Sequence, residues 1–155
     1  MAHPPRIPVW LNDDQSIVYF VTICEQNRRP AWNNVEFFNA FKNAAQQLSD
    51  KNLWFIRSAV IMPYHLHLLA SPLHSRYQKV GDLSAALKRW INSAIHNPTW
   101  SWQPSAFDRL LRNEESPQEN WEYMRANPVR ADLVKDWQEW PWSLGLRDPH
   151  EHEEW

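Results

Sequence analysis

Residues 53–71 constrain the fold of this 155-residue chain more than any other stretch. Two apolar runs, about Leu53 to Met62 and His65 to Ser71, are separated only by Pro63-Tyr64, and proline suits the first central position of a turn. The segment reads as a hairpin. Upstream, Ile17 to Cys24 is β-branched and aromatic throughout and reads as another strand. After the polar connection Gln26 to Pro30, Asn33 or Asn34 can cap a helix to about Ser49, whose apolar stripe is Phe37, Phe38, Phe41, Ala44, Ala45 and Leu48. Beyond the hairpin and a loop from Pro72 to Lys79, a helix is expected from about Leu83 to Ile95, with Leu83, Ala86, Leu87, Trp90, Ile91 and Ala94 inward and Asn97-Pro98 as its stop. A last strand covers roughly Ser105 to Leu111. Ser116-Pro117 then opens a helix that Pro128 is expected to end after Asn127. A short helix from Val129 to Val134 and a tryptophan-rich tail from Trp137 follow.

The order β-α-β-β-α-β predicts an α+β fold, a ferredoxin-like (RRM-like) antiparallel sheet with helices packed on one side, plus a C-terminal helix and the tail. No repeat or linker divides the chain. It reads as one domain over 1–155 with its core at about 15–145.

Composition removes several classes of function. The two glycines, Gly81 and Gly145, are too few and too far apart for a phosphate cradle, so no nucleotide cofactor is expected. The single cysteine, Cys24, excludes a disulfide framework and Cys-based metal clusters. No apolar run approaches a bilayer span and no charged-then-apolar leader is seen, so a soluble cytoplasmic protein without membrane attachment is expected. Net charge is −2, but residues 1–112 carry 12 Lys/Arg against 7 Asp/Glu, and residues 113–155 carry 4 against 11. A basic body with an acidic end fits a polyanion partner or an acidic solubilising tail equally well.

Two segments bear chemistry. In Met62-Pro63-Tyr64-His65-Leu66-His67-Leu68, strand alternation puts His65 and His67 on one face, about 7 Å apart, a span that two imidazoles can close onto one metal ion. Two polar residues on a solvated sheet face would give the same pattern. In the second segment, Trp121 and Met124 define a buried helical stripe, whereas Tyr123 and Asn127, at i and i+4, are presented together away from it. A surface tyrosine with an asparagine that ends the helix is the plainer alternative.

Together these segments resemble a known family. His65-Leu66-His67 resembles the His-hydrophobic-His motif of the HUH single-strand DNA nucleases. Tyr123-Met-Arg-Ala-Asn127-Pro128-Val129-Arg130-Ala131 resembles the signature of the REP-associated tyrosine transposases, single-tyrosine relatives of the small insertion-sequence transposases. Met62-Pro63, Phe107-Asp108-Arg109 and Trp140-Pro141-Trp142-Ser143 match as well, so the resemblance spans residues 15–145. The chain departs from the pattern in two places: Tyr64 stands where aspartate is frequent, and the frequent Phe-His-Asp-Arg form stands here as Ala106-Phe107-Asp108-Arg109.

The resemblance implies a transposase-like endonuclease that cleaves and rejoins single-stranded DNA, a recombination chemistry acting at palindromic repeat hairpins. Tyr123 would be the catalytic nucleophile, forming a 5′-phosphotyrosine intermediate. His65, His67 and Asn127 would hold a divalent metal, Mg²⁺ or Mn²⁺. Arg28, Arg29, Lys88, Arg89, Arg109, Arg112 and Arg130 are the candidate DNA-binding residues, with aromatic side chains stacking on unpaired bases. The expected partner is a single-stranded DNA hairpin (a repetitive extragenic palindrome), and the expected state is a monomer rather than the helix-swapped dimer of the insertion-sequence relatives. A non-catalytic ferredoxin-like nucleic-acid-binding module is the alternative. It would not need His65, His67 and Tyr123 together. A relaxase or replication initiator shares the chemistry but normally brings more domains or a second tyrosine.

Overall fold

A computed structural model describes residues 17–111 and 117–146. Strand β1 (Tyr19–Cys24) leads to helix α1 (Val35–Asp50), followed by the hairpin β2 (Trp54–Ile61) and β3 (His65–Pro72). Helix α2 (Val80–Ala94), strand β4 (Phe107–Leu110), helix α3 (Pro117–Arg130), a 3₁₀ turn (Trp137–Glu139) and strand β5 (Ser143–Leu144) complete the order. Among the described residues, the sheet runs β4-β1-β3-β2-β5 and all its pairings are antiparallel. The first four strands therefore have the ferredoxin-like arrangement. No described helix is long and apolar enough to cross a membrane.

Helix α1 begins where the sequence marks it. The Asn34 side chain accepts from the Phe37 N–H at 2.9 Å, satisfying one of the orphan donors of the first turn. Its stripe is buried as expected, with Ala40 added and Phe38 only partly covered. Helix α2 starts at Val80, before the expected Leu83, because Gly81 is accommodated in the first turn rather than standing outside it. Val80 and Ser84 join its buried side, and Ala94 is exposed.

Both helices lie on one sheet face. Tyr19, Val21, Ile23, Leu66, Leu68 and Ala70 form a continuous core with Phe37, Phe41, Leu48, Leu83, Leu87 and Ile91. The expectation of helices on one side holds for these two only. Helix α3 and the tail cover the opposite face, where Val18, Val60, Met62 and Leu69 pack with Trp121, Met124, Trp140 and Leu146.

Pro128 does not end α3, and the separate helix expected from Val129 is absent. A proline lacks the N–H that would bond the carbonyl four residues back, here Met124, but it stands in the last turn, where one bond is lost rather than a ladder. Pro128 is buried, so packing offsets that loss.

The tail is tied across α3 and the sheet. The Trp140 indole donates to the Ile61 carbonyl at 3.0 Å, and the Trp121 indole to the Gly145 carbonyl at 2.8 Å. Arg125 lies over the rings of both Trp121 and Trp137. Gly145 has φ +66°, and a Cβ there would stand 2.6 Å from the Arg57 carbonyl oxygen, so only glycine fits.

Candidate nuclease site

Alternation along β1 and β3 decides which side chains meet α3. With Leu66 and Leu68 in the α1/α2 core, His65 and His67 face the other way. The register sets Thr22 opposite His67 and Cys24 opposite His65. Across that pairing, Thr22 Oγ1 and His67 Nδ1 are 2.7 Å apart. If Nδ1 carries the proton and donates to the hydroxyl, Nε2 keeps a lone pair for a ligand role.

Three rings converge above this pair. Phe20 stacks on His67 with centroids 5.3 Å apart, Tyr123 stands edge-on to His67 at 6.1 Å, and Tyr123 is edge-on to Phe20 at 6.3 Å. The His65 and His67 centroids are 4.9 Å apart. Histidine and tyrosine motifs separated by more than fifty residues in sequence are thus brought together. Tyr123 is 50% exposed and His67 only 8%. The phenol is open to a partner, whereas the imidazole lies beneath it. Phe20, Thr22, His67, Arg109, Glu119, Asn120 and Tyr123 line a cleft of about 560 Å³.

Burial governs the electrostatics of the pair. It pushes His65 below the ordinary imidazole range. His67 falls further, to about 3, through burial first and then the positive charges of His65 and Arg130. Both rings are therefore neutral near pH 7, the form in which imidazole binds metal. A group with so little basicity suits a ligand better than a general base.

Among the described residues, no cluster of three His, Cys, Asp or Glu could hold an ion. The two imidazoles are a partial donor set that needs oxygen ligands from elsewhere. Asn127, one turn beyond Tyr123 on α3, is partly buried, and its Nδ2 has no hydrogen-bond partner. That orphaned atom is a donor and asks for an acceptor, whereas a cation would take the amide oxygen. Two neutral imidazole nitrogens and an amide oxygen are donor types that a divalent cation accepts.

The basic candidates separate by position. Arg109 lies on β4 at the cleft and donates to Asn120 Oδ1 at 2.9 Å, while Arg130 lies over the Tyr123 ring. Arg28 and Arg29 are in the turn following β1, at the His65 end of the strand. That turn is organised by buried Glu25, whose carboxylate accepts from the N–H groups of Asn27, Arg29 and Ser101. Burial would raise the Glu25 carboxyl, but those three bonds and the Arg29 charge hold it below its usual range. Lys88 and Arg89 are on α2, across the sheet from the histidines, and Lys88 donates to the Gln103 carbonyl. The fold does not bring these two to the site. Arg112 lies outside the described residues.

Tyr64 is nearer the site than alternation from the strand suggests, because a turn residue does not follow that alternation. Its ring centroid is 5.4 Å from that of His65. Sequence reasoning missed Phe20, Thr22, Glu119 and Asn120. Phe20 and Thr22 carried a signal, because they alternate with the core residues Tyr19, Val21 and Ile23.

A REP-associated tyrosine transposase of Escherichia coli strain K12 is 23% identical over 136 residues, covering 84% of this chain and 77% of the relative. A Haemophilus influenzae protein provisionally given the same name is 24% identical over 143 residues, covering 84% and 81%. The chain is similar in sequence to these REP-associated tyrosine transposases. A solved REP-associated tyrosine transposase bound to a REP hairpin superposes with a TM-score of 0.71 at 20% identity, covering 88% of this chain and 82% of that one. That likeness is one of fold. No family model matches the chain.

Proposed function

We propose that this chain is a metal-dependent single-strand DNA endonuclease and rejoining enzyme that acts at palindromic repeat hairpins. The observation that carries the reading is the meeting of Tyr123 with His67 in one cleft, from motifs on α3 and β3. A solvated sheet face and an unrelated surface tyrosine would have no reason to converge. The hairpin held by the structural relative supports the partner class.

In this reading the Tyr123 oxygen attacks the scissile phosphorus. The phenolic proton leaves to solvent, the bond from phosphorus to the 3′-oxygen breaks, and that oxygen takes up a proton to become a 3′-hydroxyl. DNA stays joined to Tyr123 through its 5′-phosphate, and the ester bond so conserved lets a 3′-hydroxyl later reverse the step. His65 and His67, with Asn127, would hold Mg²⁺ or Mn²⁺, which when bound polarises the phosphate and offsets its developing charge. Thr22 orients His67 through Nδ1. Arg28, Arg29 and Arg109 supply phosphate contacts, and exposed Phe107 on β4 offers a stacking surface for an unpaired base. Lys88 and Arg89 have no part in this interface.

The test is a denaturing gel with end-labelled repeat hairpins carrying single-stranded flanks, in Mn²⁺ or EDTA. A protein–DNA adduct that needs the metal and is absent on full duplex is expected. Equal reaction in EDTA, or on duplex, would overturn the proposal. Hairpin binding without any adduct would favour the non-catalytic binding module.

A further inference from the structure

Helix α3 carries Tyr123 at an exposed position, where a tyrosine ring ordinarily samples more than one rotamer. Two turns later, Arg130 folds back along the helix. Its Nη2 donates to the Tyr123 carbonyl at 2.9 Å, and its guanidinium carbon stands 4.0 Å from the centre of the Tyr123 ring. One side chain therefore holds both the main chain and the ring of the same residue.

Arg130 stands in the last turn of α3, where a guanidinium is favoured by the carbonyl dipoles of a helix C-terminus. The same ring also meets Phe20 and His67 edge-on. Tyr123 is thus bounded by aromatic rings of the sheet and by a planar cation. Lysine would supply the charge but not a flat group able to cover the ring and donate along its plane.

We propose that Arg130 is the positioning residue of Tyr123, fixing the ring over Phe20 and His67 rather than serving as one more phosphate contact. The inference rests on the proposed nuclease reading for its effect on rate, but not for its effect on the ring itself.

The experiment compares the full-length wild type with Arg130→Ala and Arg130→Lys. Incorporated 3-fluorotyrosine, with the Tyr123 signal assigned through Tyr123→Phe, reports the ring directly by ¹⁹F NMR. Arg130→Ala should move that signal toward the position of free tyrosine, and Arg130→Lys should not restore it. In single-turnover adduct formation, Arg130→Ala should lower the maximal rate by about 10- to 100-fold, as expected for a misplaced reacting group, with hairpin affinity within about threefold. Arg130→Lys should recover affinity but not rate, and added guanidinium at millimolar concentration should restore part of the rate in Arg130→Ala. An unmoved Tyr123 signal overturns the proposal, and so does a rate and affinity that fall together and return together with lysine. An adduct that persists in Tyr123→Phe defeats the nuclease reading instead, leaving the ¹⁹F result to decide the role of Arg130.

Discussion

On the face covered by α1 and α2, β1 and β3 present Tyr19, Val21, Ile23, Leu66, Leu68 and Ala70, and this surface is closed by helix side chains. On the face covered by α3, the same strands present Phe20, Thr22, His65 and His67 before reaching Leu69. The first face has two helices with long apolar stripes. The second has one helix with a narrow stripe, Trp121 and Met124, and a tail that seals only the Val60–Leu69 side. A single alternating strand can therefore serve stability with one set of alternate positions and chemistry with the other. What separates the two roles is how much of each face its helices cover.

The largest expected effect lies on the open face. Tyr123→Phe removes one hydroxyl and little packing, so covalent adduct should disappear while unfolding free energy changes by less than about 0.5 kcal/mol. Denaturing gels and urea titrations check the two halves. His67→Ala should likewise abolish cleavage with hairpin affinity held within about threefold, measured by fluorescence anisotropy. Loss of the fold in that variant would place His67 with the closed face instead.

The closed face should behave the other way. Phe41→Ala truncates a fully buried ring and should cost about 3–5 kcal/mol, with adduct formation per folded molecule unchanged. A smaller effect comes from titration. His67 has a folded-state value of about 3, below the ordinary imidazole value of the unfolded chain, so the unfolded state binds the extra proton. Its contribution is complete above about pH 6.5 and declines as pH falls toward 3. Urea unfolding across that range should have a shallower pH slope in His67→Asn. The smallest effect is expected of Arg89→Ala, on the closed side, which should leave hairpin affinity unchanged in the assay where Arg109→Ala weakens it.

Local pattern was enough for much of this. The Asn34 cap, the stripe of α1, the hairpin at Pro63-Tyr64 and the shared face of His65 and His67 all follow from sequence neighbours. The failures arise where distant parts meet. Pro128 reads locally as a stop, but it is buried in the last turn and α3 runs on to Arg130. Counting positive charge does not reveal that α2 and β4 face opposite ways, so Lys88 and Arg109 look equivalent in sequence. Thr22 becomes legible only when β1 is in register with β3, because its partner is forty-five residues away.

Gly145 gives the molecule an order of assembly. The tail passes too close to the Arg57 carbonyl for any side chain, and from there its own carbonyl receives the Trp121 indole. The last described residues thus act as a clasp that sets the height of α3 above the sheet. During synthesis, strands β1 to β4 and the first two helices can form while the seat of the tyrosine still awaits residues 140–146. A chain ending at residue 139 should keep slow amide exchange in β1 and β3 and lose it in α3, leaving a folded body whose reactive helix is unlatched.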